Sequence, residues 1–260
     1  MAGGLLMASR RRSGKIRLCE RCILGQTEQS ALLVEDLHVF YDRSHVLHGL
    51  NLRVPSQSVT AVVGRNGVGK TTLMHAVMGM HPASSGRVLI NGVDLMPLPA
   101  YRRRDYGLAL VPQGRRLFRT LTVREHLQLV KPIRPEPLNL ESLSELFPSL
   151  FDRLDASAST LSGGERSMLS IARALIVNPY FLLMDEPTEG LAPMLIGAIA
   201  DMFPRMREAG LTVLLIEQNL KFALSVADRL AVMERGEIVH EFDRDEVEDV
   251  SELSDLILAA

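Results

Sequence analysis

Gly64-Arg65-Asn66-Gly67-Val68-Gly69-Lys70-Thr71 follows the pattern G-x-x-x-x-G-K-[ST]. An apolar, strand-like run precedes it (Val59–Val63), and a helix-like run follows from Lys70 to about Met80. A strand, a glycine loop and a helix in that order are the context the motif requires. Glycines let backbone N–H groups curl round phosphate oxygens without Cβ clashes. The helix start adds unpaired donors and positive potential. Lys70 is placed to reach β- and γ-phosphates, Thr71 offers a hydroxyl to Mg²⁺, and Thr72 belongs to the same cradle.

Phe181-Leu182-Leu183-Met184-Asp185-Glu186 supplies a second half-site. Here an apolar strand ends in two carboxylates, which places both at the carboxyl edge of a parallel sheet, where ligands bind. Asp185 is suited to hold Mg²⁺, and Glu186 to orient or polarise an attacking water. Together with the glycine loop, the pair points to nucleotide hydrolysis.

A third motif, Leu161-Ser162-Gly163-Gly164-Glu165, stands a short way before Asp185. It resembles the signature of ATP-binding cassette ATPases, in the variant that ends in Glu. The order and spacing of the three motifs are specific to that family, and the resemblance covers roughly residues 31–240. It implies an α/β fold: a P-loop NTPase (RecA-like) core with an N-terminal antiparallel β subdomain and an inserted α-helical subdomain at about 114–178. The ATPase domain as a whole would span 31–260. The resemblance also implies that Ser162, Gly163 and Gly164 close on the γ-phosphate held by a second ATPase chain. Tyr41 matches the aromatic that stacks on adenine, and Gln113 the loop glutamine that touches Mg²⁺ and water. Glu189-Gly190-Leu191-Ala192-Pro193 matches the loop that crosses to the partner ATPase. Gln218 stands where most of the family has a histidine on the γ-phosphate; glutamine can donate a hydrogen bond there but cannot titrate.

Glu217-Gln218-Asn219, Pro112–Phe118 and Glu189–Pro193 look like the branch that takes up hydrophobic amino acids and amides. This implies ATP and Mg²⁺ as ligands and an importer ATPase that works with a second ATPase subunit (the same or different). Transmembrane permeases and, indirectly, a solute-binding protein complete the assembly. Branched-chain amino acids are the expected solute. Urea or short amides are the alternative, as is a nucleotide-gated regulatory subunit in which Gln218 weakens hydrolysis. A cassette for translation or DNA repair fits poorly, because the chain has neither a second cassette nor a long coiled-coil insertion.

Composition agrees. The chain is 47% hydrophobic and 23% charged, so it has the makings of a packed core, which aliphatics and 12 Met must fill in the absence of Trp. A net charge of −2 argues against a nucleic-acid binder. No apolar run approaches the ~18 residues of a membrane helix. The expected location is the cytoplasmic face of the cell membrane, with contact to the membrane through the permease alone. Residues 1–30 set Arg10, Arg11, Arg12, Lys15, Arg17 and Arg21 against Glu20 and Glu28. They read as a disordered basic extension, or as a mis-set translation start. Within them Cys19 and Cys22, spaced C-x-x-C, suit a redox pair or half a zinc site, but they lack the second pair that zinc needs and read as incidental to the tail. The run Arg102-Arg103-Arg104, with Arg115, Arg116 and Arg119, reads as a solvated charged face, or as a surface for a membrane partner. From Glu241 the chain is acidic, and Val247, Val250, Leu253, Leu256 and Ile257 keep helical spacing.

Overall fold

The computed structural model describes residues 30–133, 140–247 and 253–254. β1 (Ser30–Tyr41) and β2 (Ser44–Pro55) form a long antiparallel hairpin. Leu32, Val34, Leu37 and Val39 are buried on β1, and Leu47, Leu50, Leu52 and Val54 on β2, as expected of a sheet with one face on the core. β3 (Val59–Val63) leads into α1 (Lys70–Met78). β4 (Ser85–Ile90) then pairs antiparallel with β1, and Asn91-Gly92 turns it into β5 (Val93–Asp94). These strands make a four-stranded sheet in the order β2-β1-β4-β5.

α2 (Ala100–Arg103) precedes β6 (Leu108–Val111). Among the described residues four α-helices follow before the chain returns to the sheet: α3 (Val123–Gln128), α4 (Leu140–Leu146), α5 (Pro148–Phe151) and α6 (Gly163–Leu175). Next come β7 (Phe181–Asp185), α7 (Pro193–Ala200), α8 (Phe203–Glu208), β8 (Thr212–Glu217) and α9 (Leu220–Val226). β9 (Arg229–Glu234) and β10 (Glu237–Asp243) complete a six-stranded sheet in the order β10-β9-β3-β8-β7-β6, parallel except for β10.

β3, β7 and β8 are buried at every position, because helices or the second sheet cover both faces. Their side chains alternate between two cores. Val62, Leu183, Leu214 and Ile216 face the antiparallel sheet and α1, while Ala61, Val63, Leu182, Met184, Val213 and Leu215 join the core beneath α6 to α9. Strand register sets the functional edge. Val63 lies opposite Glu217 and Asp185 opposite Ile216, so β3 and β7 end level on either side of β8.

Three expectations change. The helical insertion expected at about 114–178 does not begin as helix, since Pro112–Leu121 forms none. Gly114, Arg115 and Arg116 there are all left-handed, which ends any helix. Glu241–Asp243 belong to β10 rather than to a helix, because they pair with Ala231, Leu230 and Arg229 of β9; Arg244–Glu246 is a single 3₁₀ turn. Leu253 is buried against the helical-side core, whereas Val250, Leu256 and Ile257 lie outside the described residues, as do Cys19, Cys22 and the basic extension. Arg103 is not part of a solvated face. It is 4% exposed, and its Nη1 donates to the carbonyls of Ala76 and Val77, each at 2.7 Å, at the end of α1. Among the described residues no helix is long and apolar enough to cross a membrane.

Candidate nucleotide site

The glycine loop bends where its sequence allows. Gly69, at the N-cap of α1, has φ 114°, and a Cβ there would stand 2.9 Å from Leu47 Cδ2. Arg65, Asn66 and Gly67 form an exposed rim, Gly64 is buried, and the half-buried Val68 accepts a bond from Gly236 N. Thr72 is buried within α1. The Lys70 side chain is buried as well; its ammonium donates to the carbonyls of Gly64 and Arg65, each at 2.9 Å. It stands 3.7 Å from Glu186 Oε1. Desolvation pulls the Lys70 pKa down, and the carboxylates of Glu186 and Asp185 oppose that pull.

The two carboxylates at the end of β7 have different surroundings. Asp185 is 3% exposed, and Thr71 Oγ1 donates to its Oδ1 at 3.3 Å. Burial pushes the Asp185 carboxyl up to about 6, against the Thr71 hydrogen bond. Glu186 takes a left-handed backbone (φ 47°) and is half-buried, and its N–H donates to Ile216 O at 2.9 Å. An unfavourable backbone at such a point is a recurrent feature of functional sites. Gln113, just past β6, donates from Nε2 to Glu186 Oε2 at 3.0 Å and to Glu189 Oε2 at 3.2 Å. Lys70, Thr71, Gln113, Asp185 and Glu186 thus converge from the start of α1, the turn after β6 and the end of β7.

Other sequence-predicted residues stand apart from this cluster. Tyr41 is 40% exposed at the end of β1, and its ring stacks on His81 with centroids 4.0 Å apart. Ser162 caps α6 in a capping box: its Oγ accepts from Glu165 N at 3.2 Å, and Glu165 Oε2 accepts from Ser162 N at 2.6 Å. Arg153 holds Glu165 through bonds of 2.9 and 3.0 Å. Gly163 faces open space, whereas Gly164 lies against Leu195 of α7, where a Cβ would come within 2.2 Å of Leu195 Cδ1. Gln218 is exposed just beyond β8.

Glu217 was not among the expected site residues. It is 2% exposed at the end of β8, and burial pushes its pKa up. Its Oε1 accepts from Thr188 Oγ1 at 2.7 Å and from Thr188 N at 3.2 Å, and its Oε2 accepts from Asn219 N at 3.2 Å. It therefore fixes the loop that follows Glu186. A carboxylate closing the strand-like run Thr212–Ile216 is the signal that would have found it.

A family model described as "ABC transporter" matches residues 47–189. The high-affinity branched-chain amino acid transport ATP-binding protein BraG of Pseudomonas aeruginosa is 38% identical over 80% of this chain and 91% of its own length. The probable branched-chain amino acid transport ATP-binding protein LivF of Archaeoglobus fulgidus is 35% identical over 78% and 87%. The lipopolysaccharide export system ATP-binding protein LptB of Haemophilus influenzae is 34% identical over 81% and 89%. Among solved structures, a nucleotide-free ATP-binding cassette from an ABC transporter superposes with a TM-score of 0.76 at 27% identity, covering 89% of this chain and 96% of that one.

Proposed function

The chain belongs to the ABC transporter family and is one of its ATPases, and from that premise we propose that it powers the uptake of branched-chain amino acids through separate permease subunits. The observation that carries the hydrolytic reading is the convergence of Lys70, Gln113 and Glu186 beside the Thr71–Asp185 pair. BraG and LivF, which are named for branched-chain amino acid transport, favour this solute over urea or amides. LptB, at 34% identity, makes export the competing outcome.

The site fits a hard divalent cation, because Thr71 and Asp185 offer oxygen donors and burial leaves the Asp185 carboxylate poorly solvated. Bound there with ATP, Mg²⁺ would neutralise charge on the β- and γ-phosphates. In this reading the backbone N–H groups of Gly64–Thr71 cradle the phosphates, and Lys70 exchanges its two carbonyl partners for phosphate oxygens. Glu186 takes up the attacking water and accepts its proton, while Gln113 holds the carboxylate in place. Tyr41 carries the adenine. Ser162, Gly163 and Gly164 present the start of α6 to the nucleotide of a second ATPase subunit, whose own α6 end returns the contact. Gln218 donates a hydrogen bond to the γ-phosphate without titrating. A solute-binding protein would deliver the amino acid to the permease.

Steady-state ATP turnover by the assembled transporter, together with uptake of labelled leucine, tests this. Glu186→Gln should lower kcat by about a hundredfold or more, since a general base is lost, and should hold two ATPase chains together in ATP. Undiminished turnover in that variant overturns the hydrolytic reading. ATP-dependent turnover with no leucine uptake overturns the choice of solute.

A further inference from the structure

The chain just past Gln113 adopts a conformation that its sequence alone would avoid. Gly114, Arg115 and Arg116 have φ of 73°, 66° and 39° in succession. Two non-glycine residues in the left-handed region persist only where their surroundings over-determine them. Those surroundings come chiefly from one side of α6. Arg115 Nε donates to Ser167 Oγ at 2.7 Å, Ser170 Oγ donates to Arg115 O at 3.2 Å, and Arg173 Nη1 donates to Arg116 O at 3.3 Å. The Arg115 guanidinium also reaches the loop after β7, donating from Nη2 to Glu189 O at 3.2 Å. Glu189 is therefore held twice, by its carbonyl on Arg115 and by its carboxylate on Gln113. A cavity of about 260 Å³ opens between these groups, with Arg115, Ser167, Glu186 and Glu189 in its wall.

We infer that Arg115 is a positioning residue, which sets the Gln113 amide against Glu186 by fastening the Gln113 loop to α6 and to the Glu189 carbonyl. The inference rests on the ATPase reading above and adds a coupling to it. The helix that begins at Ser162 and the loop that carries Glu186 are joined through one guanidinium. A displacement of either therefore reaches the Gln113–Glu186 hydrogen bond. Arginine suits this place because its planar fork serves two acceptors in different directions, which an ammonium on a flexible stem does less well.

The test compares Arg115→Ala, Arg115→Lys, Ser167→Ala and the double variant Arg115→Ala/Ser167→Ala in the assembled transporter. It measures kcat, KM for ATP, fluorescent-nucleotide affinity and thermal midpoint. Arg115→Ala and Ser167→Ala should each lower kcat by about tenfold, with KM and nucleotide affinity within about twofold of wild type. The double variant should be no slower than Arg115→Ala, since both remove one coupling, and Arg115→Lys should fall between. If Arg115→Ala fails to fold, Ser167→Ala decides the question in its place, because it removes only a hydroxyl. A kcat within about twofold of wild type, or a loss matched by an equal rise in KM, overturns the positioning role. Such a result leaves the ATPase reading standing provided Glu186→Gln abolishes turnover. Turnover that survives Glu186→Gln overturns the reading itself.

Discussion

The Asp185 carboxyl, pushed up to about 6 by burial, would make the cation binding proposed for this site sensitive to mild acid. The sign follows from competition: the cation needs the carboxylate, and below about pH 6 the group increasingly holds a proton. The Mg²⁺ concentration for half-maximal turnover should therefore be flat from pH 8 to about 7 and rise by about tenfold by pH 5. Mg²⁺ titrations of ATPase rate at fixed ATP check this, and a flat requirement down to pH 5 removes Asp185 from the proposed site. Asp185 and Glu186 were legible in the sequence, because an apolar run ending in two carboxylates shows itself without neighbours. The left-handed backbone of Glu186 and the burial of Glu217 were not, since each depends on groups distant in the chain.

Arg103 shows how an element can be closed by a residue outside it. α1 ends at Met78 with the left-handed Gly79 as its cap, and the Arg103 guanidinium adds bonds to the carbonyls of Ala76 and Val77. Arg103→Ala should lower unfolding free energy by about 2–3 kcal/mol, the scale of charge-assisted hydrogen bonds lost from buried acceptors. Arg102→Ala, at an exposed neighbour, should stay within about 0.5 kcal/mol in the same denaturant titrations. Equal effects would mean that the capping geometry does not matter. The sequence presents three consecutive arginines with no mark on the middle one; only the packing of α2 against the end of α1 singles it out. The start of α6 is the contrary case. Ser162 followed by Glu165 is a capping box readable from spacing alone, and the structure forms it.

The two sheets meet beside the phosphate loop, and Gly236 sits at the joint. Its N–H donates to Val68 O at 2.9 Å, and its carbonyl accepts from His48 N at 3.1 Å. It lies at φ 85°, and a Cβ there would stand 2.1 Å from Val46 O, a contact with backbone that cannot rotate away. Gly236→Ala should therefore cost about 2 kcal/mol of stability and separate the β1–β2 hairpin from the loop. Since the proposed adenine contact Tyr41 lies on the hairpin and the proposed phosphate contact Lys70 follows the loop at the start of α1, KM for ATP should rise with it. A variant with wild-type melting and wild-type KM would show that the two sheets do not need this joint.

The sequence by itself determined the glycine loop, the carboxylates at the end of β7, the capped start of α6 and, through their order, the family. Each is a local matter, because φ/ψ freedom, apolar runs and capping are settled within a few residues of chain. It was folding that brought Gln113 to Glu186 across 73 residues, set Glu217 beneath Thr188, and turned Arg103 and Arg115 inward from what reads as a charged surface. These contacts depend on strand order and register, with Val111 opposite Met184 and Asp185 opposite Ile216. Register is fixed by the burial of whole strands against both cores, and no window of local sequence contains that information.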